Sequence, residues 1–262
     1  MQKPVPPEVY TRHYYLNDRK GSAEFVESRG HALCPQHAQA LRLADIRQGH
    51  VVLDVGSGCG ELTIHAAMQG AQAVGIDYAP SAVELAKEAL GTFPLELQAR
   101  VQFILGLVED QAMEGLEAEG VDCVLLMDVI EHLHPWQIER LYASLYRILK
   151  PGGKVICHTW PNRWHTTYVY PIVYRLFRLV GVHKSKEVRE PHDEVMHVNE
   201  QTAWSVWRDT KSAGFQAKVW MAHESPTHAT PVWRWIYYMF HHVFPLSLFF
   251  ADDIWCIATK KR

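Results

Sequence analysis

Two short stretches of the chain gather the residue types that chemistry needs. The first is Asp54-Val55-Gly56-Ser57-Gly58-Cys59-Gly60, which ends the apolar run VVLDV and leads into the helix-compatible ELTIHAAMQ. Glycines at such a turn let the backbone bend sharply and let a ligand approach where a Cβ would stand. Spacing narrows the ligand. A dinucleotide fingerprint, G-x-G-x-x-G, would put its third glycine at position 61, where this chain has Glu61; the last glycine here is Gly60. Asp54, just ahead of the glycines, would repel a pyrophosphate but suits a ligand that carries an ammonium group. Asp77 closes the next apolar run, AQAVGID, and a carboxylate there can accept from both hydroxyls of a ribose. Taken singly, Asp77 reads equally well as a cap for the helix that starts at Ser81. Taken with the loop, it reads as a ligand contact.

The second stretch is Asp128-Val129-Ile130-Glu131-His132, at the end of the apolar run DCVLLMD. Histidine titrates nearest neutral pH, so His132, His158 and His165 are candidates for a general base, with Glu131 beside them. Each has a plainer reading. Glu131 and His132 can shape a pocket and cap the loop before Pro135, and a lone histidine at position 158 or 165 can be a hydrogen-bonded pocket residue. His241 and His242 have no partner pattern.

These residues need a scaffold that brings positions 54, 77, 128 and 158 to one edge. The runs VVLDV, AQAVGID, VQFIL, DCVLLMD and GGKVICHTW read as strands. Between them lie helix-compatible segments: 61–69, Ser81–Leu90 opened by Pro80, and Pro135–Leu149. That alternation predicts βαβ units around a buried parallel sheet. The first ~30 residues are polar and read as an arm leading into a helix over His37–Ile46. After residue 160 the alternation stops. WHTTYVYPIVYRLFRLV is aromatic and helix-like, a polar loop runs from Lys184 to Glu194, and Asn199 is expected to cap a helix to Ser212 that Gly214 ends. FQAKVW and DIWCIAT read as closing strands. Between them, residues 232–250 are long and apolar enough to suggest a membrane span. Arg234, His241, His242 and Pro245, and a position between two strands of one sheet, point instead to a lid meeting Trp160–Tyr170. A surface for a homodimer partner or a bilayer interface is the alternative. The organisation expected is an arm and helix over 1–50, a ligand-binding core over 51–162, and a substrate-facing cover with closing strands of the same domain over 163–262.

DVGSGCG, GIDYAP, DCVLLMDVIEHL and LKPGGKVICHTWPN, in that order, resemble the motifs of the class I S-adenosylmethionine-dependent methyltransferases. The likeness is nearest to the small-molecule type that includes the ubiquinone-biosynthesis O-methyltransferases, and it covers roughly residues 45–162 and, more weakly, the tail from His197. It implies a Rossmann-like three-layer α/β sandwich with a seven-stranded, mostly parallel sheet. The last strand, DIWCIAT, would run antiparallel beside FQAKVW, and an aromatic-rich helical cover would lie over the sheet's edge. It implies S-adenosylmethionine as the cofactor. Asp54, Gly56, Ser57, Gly58 and Gly60 would lie along its methionine part, Asp77 at the ribose, Tyr78 on the adenine, and Asp128 and Val129 near the reactive end. Leu107 stands where the family often has an acidic or amide residue, which moves adenine recognition to the Val108 backbone or to Glu109. Asp128, Glu131, His132 and a distant His197 also resemble the metal site of the small-RNA 2′-O-methyltransferases. On that likeness they would hold a divalent ion such as Mg that acidifies an acceptor hydroxyl.

Composition bounds the rest. With 262 residues, 48% of them hydrophobic, the chain can bury one large α/β core. A net charge of −3 with scattered basic residues argues against a nucleic-acid partner. The five cysteines include no C-x-x-C pair and read as free thiols, and MQKPVPPEVYTRHYY has no apolar leader, so the expected compartment is cytoplasmic, with peripheral membrane contact through 232–250 as a variant. Most of the nine tryptophans lie after residue 135, which predicts an aromatic surface over a small apolar or aromatic acceptor. The expected reaction is methyl transfer to a hydroxyl of that acceptor. N- or C-methylation of a natural product or lipid, a nicotinamide-dependent oxidoreductase, and a non-catalytic cofactor-binding adaptor are the alternatives.

Overall fold

The computed structural model describes residues 2–107, 116–179, 181, 192–222, 239, 243 and 245–262. Its strands are β1 (Val51–Val55), β2 (Gln72–Asp77), β3 (Val101–Leu105), β4 (Val121–Met127), β5 (Leu149–Thr159), β6 (Gln216–Ala222) and β7 (Asp253–Thr259). They form one sheet in the order β3-β2-β1-β4-β5-β7-β6. β1 to β5 pair in parallel, and β7 runs antiparallel to both β5 and β6. The longer helices are α1 (Ser22–Ser28), α2 (Pro35–Ala44), α3 (Glu61–Met68), α4 (Pro80–Leu90), α5 (Pro135–Ile148), α6 (Tyr170–Leu179) and α7 (Ala203–Ser212).

The central strands are apolar on both faces because helices cover both. Val52, Cys123, Leu125 and Ile156 meet Leu41 of α2 and Leu62 and Ala66 of α3. Leu53, Val55, Val124 and Leu126 point the other way, to Leu141 and Leu145 of α5. Each such side chain, fully buried, contributes about 1.5–3 kcal/mol. α5 starts where Pro135 supplies a preset φ and His134 N–H donates to Gln137 Oε1 at 3.0 Å. All five cysteines are free and buried.

Strand order reverses at β1, whose neighbours are β2 and β4. The loops after β1 and β4 therefore leave in opposite directions and open a crevice at the carboxyl edge, which is where ligands bind in such sheets.

Three expectations need correction. The first helix after the arm runs Pro35–Ala44 rather than 37–46, because Pro35 takes its first position and Asp45, at φ 45°, turns left-handed and ends it. Asn199 is not a cap. Thr202 is, its Oγ1 accepting from Ser205 N–H at 3.0 Å, while Asn199 N–H donates to Glu131 O and its Nδ2 to Leu133 O, both at 3.0 Å. The polar arm is not a mere leader: it turns at Pro7–Val9 and Tyr14–Asp18 and buries Val5, Tyr10, Tyr15 and Phe25 against Ala79, Ala82 and Val83.

Most of the segment 232–250, with His241 and His242, lies outside the described residues, as does the polar loop from Lys184 through residue 191. Where the segment is described, Phe249 stacks on Trp164 at 5.1 Å, and Asn162 Nδ2 donates to Leu248 O and Ala251 O, both at 2.8 Å. Among the described residues, no helix is long and apolar enough to cross a membrane.

Candidate active site

A cavity of about 520 Å³ lies in the crevice, within the range of small-molecule sites. Its floor is the loop after β1 (Asp54, Gly56, Ser57, Gly58), the end of β2 (Asp77, Tyr78) and the end of β4 (Asp128, Val129, Glu131, His132). Leu107 and Trp160 add apolar wall, and Val5, Tyr10, Tyr14, Tyr15 and Arg19 close one side from the arm.

In the half built on β1 and β2, backbone geometry dominates. Gly56 sits at φ 69°, and a Cβ there would fall 2.5 Å from Val129 Cγ2, so the loop and the end of β4 close together only around glycine. Ser57 Oγ is buried without a hydrogen-bond partner, which fits a donor or acceptor reserved for a ligand. Asp54 is buried, accepts from Thr63 Oγ1 at 2.7 Å, and is pushed up to about 7 by burial. A ligand cation would restore its charge. Asp77 accepts from Gly58 N–H and Ala79 N–H, both at 2.9 Å, and burial pushes it up to about 6. It bonds the N–H of Ala79, the residue that precedes α4, and lines the cavity. Tyr78 is on the wall, its ring edge-on to Tyr10 at 5.5 Å. Gly60 is not on the wall. Its Cβ would lie 2.5 Å from Phe103 Cζ and 2.9 Å from Ala86 Cβ, so glycine there serves helix–sheet packing. Val108 and Glu109 lie outside the described residues. These groups, a buried orphan hydroxyl and two buried carboxylates around a glycine turn, fit a nucleoside cofactor with a cationic end.

The half built on β4 and β5 rearranges the expected base and metal residues. His132 lines the cavity; its Nδ1 lies 2.9 Å from Tyr10 Oη and 3.2 Å from Met196 O. A carbonyl only accepts, so Nδ1 carries the proton and Nε2 keeps the lone pair. Burial, and then His197 nearby, lower His132 to about 3, so the ring is neutral. Glu131 also lines the cavity, accepting from Thr159 Oγ1 at 2.8 Å, and burial followed by the charge of Asp128 raises it to about 8. Ligand atoms of Glu131, His132 and His197 all fall within 4.8 Å of one another.

Asp128 does not join that trio. It sits at φ 53° and turns to His158 Nδ1, at 2.5 Å, and to Gln36 Nε2, at 2.6 Å. His158 is not on the cavity wall, and its other nitrogen reaches Asp253 Oδ1 at 3.2 Å. With both nitrogens donating to carboxylates it has no lone pair for base chemistry. His165 is also off the wall, tilted against Tyr170 at 6.2 Å.

The Asp128–His158–Asp253 bridge has a pH signature. Burial works against a charged ring, but the charge of the Asp128 carboxylate and hydrogen bonds to Asp128 and Asp253 together outweigh it and raise His158 to about 10. A histidine raised above its unfolded value of about 6.5 adds stability that is fully present below that value and lost as pH rises through about 10. His158→Gln is expected to cost about 3–5 kcal/mol at pH 6, as breaking a buried ion pair does. It should also flatten the decline in melting temperature between pH 7 and 10. Parallel pH profiles for the two proteins would contradict the charged bridge.

The arm is what the residue pattern did not reveal. Arg19 pairs with Glu61, both largely buried, and lies over the Phe25 ring at 5.5 Å. His134 Nε2 contacts Lys3 O at 2.9 Å. Tyr10 and Tyr14 stand four apart, as do Tyr15 and Arg19, the spacing of neighbours along a helical turn. That spacing was the available signal.

A switch-point crevice with a glycine turn, a buried carboxylate ending β2 and a neutral imidazole fits an α/β enzyme that binds a nucleoside cofactor. Comparison with known proteins makes the class specific. Residues 52–153 match the methyltransferase domain family. The chain is 36% identical over 181 residues to a ubiquinone biosynthesis O-methyltransferase of Xanthomonas axonopodis pv. citri (strain 306), covering 67% of this chain and 72% of that one. It is 34% identical over 167 residues to the enzyme of the same name from Vibrio parahaemolyticus serotype O3:K6 (strain RIMD 2210633), covering 62% and 66%. Haemonchus contortus phosphoethanolamine N-methyltransferase 2, in complex with S-adenosyl-L-methionine, shares the fold with a TM-score of 0.61 at 19% identity, over 100% of this chain and 63% of that one. The chain belongs to the class I S-adenosylmethionine-dependent methyltransferases.

Proposed function

We propose that the chain transfers the methyl group of S-adenosylmethionine to a hydroxyl of a small apolar or aromatic acceptor, with His132 as the base. The observation that carries this is the tautomer of His132: Met196 O holds the proton on Nδ1 and leaves Nε2 a lone pair, on a ring that lines the cavity. The names of the relatives support oxygen as the acceptor atom. Val5, Tyr10, Leu133 and Trp160 on the wall support an apolar or aromatic body.

S-adenosylmethionine, when bound, supplies an electrophilic methyl group on a sulfonium. The protein's task is orientation and proton removal. Asp54 and Ser57 would hold the methionine end, Asp77 the ribose and Tyr78 the adenine. His132 Nε2 takes the hydroxyl proton of the acceptor, and the arm's aromatic rings keep water from the acceptor oxygen. The test is methyl transfer from labelled S-adenosylmethionine to a panel of catechols, phenols and amines. Label on phenolic oxygen is the expected result; label confined to amines would overturn the hydroxyl reading.

The trio Glu131, His132 and His197 supports a second reading, in which they hold an ion that acidifies the acceptor. Two imidazoles and one carboxylate suit a transition ion such as zinc or manganese better than Mg, which prefers oxygen ligands. EDTA treatment followed by Zn or Mn addition separates the readings. With His132 as the base, activity stays within about twofold of the untreated enzyme. A loss on the order of 10-fold that zinc or manganese restores assigns the trio to an ion.

A further inference from the structure

The arm reaches the reactive end of the site through one polar contact. Tyr10 Oη lies 2.9 Å from His132 Nδ1, nearer than the 3.2 Å of Met196 O. The Tyr10 ring is buried, edge-on to His132 at 5.7 Å, to Tyr78 at 5.5 Å and to Tyr14 at 5.8 Å. Its place depends on the rest of the arm, which is tied to Glu61 by Arg19 and to His134 by Lys3 O. Nδ1 carries one hydrogen and has two acceptors within reach, the tyrosine oxygen being the closer. A ring held by two acceptors on the same nitrogen is fixed in tautomer and in plane, so the lone pair on Nε2 is aimed as well as available.

We infer that Tyr10 is a positioning residue for His132: while the arm is folded over the cavity it adds a nearer acceptor to Met196 O, which fixes the plane of the base and strengthens its working tautomer. This rests on His132 being the base. Tyr10 touches the wall of both halves of the site: Tyr78, assigned to the adenine, and His132, assigned to the acceptor. Folding of the arm over the cofactor half thus sets the acceptor half. No proton passes through Tyr10; its oxygen receives a hydrogen bond, and the acceptor's proton goes to Nε2.

Tyr10→Phe removes one oxygen and keeps the ring packing, so the folded arm survives. The test has two arms. In 15N spectra of histidine-labelled protein, which need no acceptor, His132 of the unaltered chain shows a protonated Nδ1 and a bare Nε2. In Tyr10→Phe, with Met196 O at 3.2 Å as the acceptor that remains, the two signals shift part of the way toward an averaged tautomer. In single-turnover transfer to the catechol the panel selects, Tyr10→Phe slows the chemical step on the order of 10-fold. S-adenosylhomocysteine affinity stays within about twofold, and the same change made on a His132→Gln background costs nothing further. Equal slowing on both backgrounds would overturn the coupling to His132. An unaltered 15N tautomer and rate in Tyr10→Phe, with His132→Gln slow, would overturn the inference and leave the base assignment intact. A fully active His132→Gln would remove the base assignment and this inference with it.

Discussion

Asp77→Ala is expected to weaken S-adenosylhomocysteine binding on the order of 100-fold. The carboxylate is 5% exposed and accepts from Gly58 N–H and Ala79 N–H, both at 2.9 Å. The family likeness assigns its remaining lone pairs to the ribose hydroxyls. Alanine removes the ligand's acceptor and also releases the glycine loop from the start of α4. Hydrogen bonds to a charged group are worth about 1.5–3 kcal/mol each, so losing two accounts for the factor. Asp77→Asn keeps one acceptor oxygen and is expected to be milder, on the order of 10-fold. Because burial raises Asp77 to about 6, affinity should also fall as pH drops through that value, where the carboxyl gains a proton and loses acceptor capacity. Isothermal titration with S-adenosylhomocysteine measures all three. A dissociation constant within about threefold of the unaltered chain for Asp77→Ala would remove the ribose assignment.

His132→Gln is expected to lower kcat by about 10²–10⁴, the usual contribution of a general base, while S-adenosylhomocysteine binds as before. Glutamine can keep a contact with Met196 O but offers no basic nitrogen to the acceptor. The neutral state of His132, at about 3 in the ligand-free chain, means its lone pair is present at every pH from 5 upward. Activity should therefore not vanish on mild acidification through loss of this base. An acid limb traced to His132 near pH 6.5 would show that acceptor binding raises its basicity. A kcat within about twofold of the unaltered enzyme would take His132 out of the chemistry.

The parts of the site that were legible in the residues are those built from neighbours in sequence. VVLDV followed by glycines, and AQAVGID followed by a helix start, must form adjacent parallel strands with loops at one edge. Asp54, Ser57 and Asp77 follow from that geometry. Glu131 and His132 were legible as a pair for the same reason. His158 was not, because its role depends on Asp128 and Asp253, which stand 30 and 95 positions away in sequence. A histidine with one free nitrogen and one with none look alike in a string of letters. The arm failed for a related reason. Tyr10 meets a residue 122 positions away and Arg19 one 42 positions away, so the polar letters around them read only as an arm leading into a helix. Gly60 shows the opposite error: the motif was recognised, but its glycine serves Phe103 and Ala86 rather than a ligand.

Glu61 entered as a residue standing where a dinucleotide-binding chain has glycine. With side chains only 11% and 5% exposed, Arg19 and Glu61 bind each other across the mouth of the helix that the glycine turn begins. Loss of either one alone strands a buried charge, at a cost of about 3–5 kcal/mol. In descent, then, the two positions should be replaced together or not at all, and a glycine at position 61 would have to bring an uncharged residue at position 19 with it. One ion pair ties the residue that follows the glycine turn to the inheritance of a single cation in the arm.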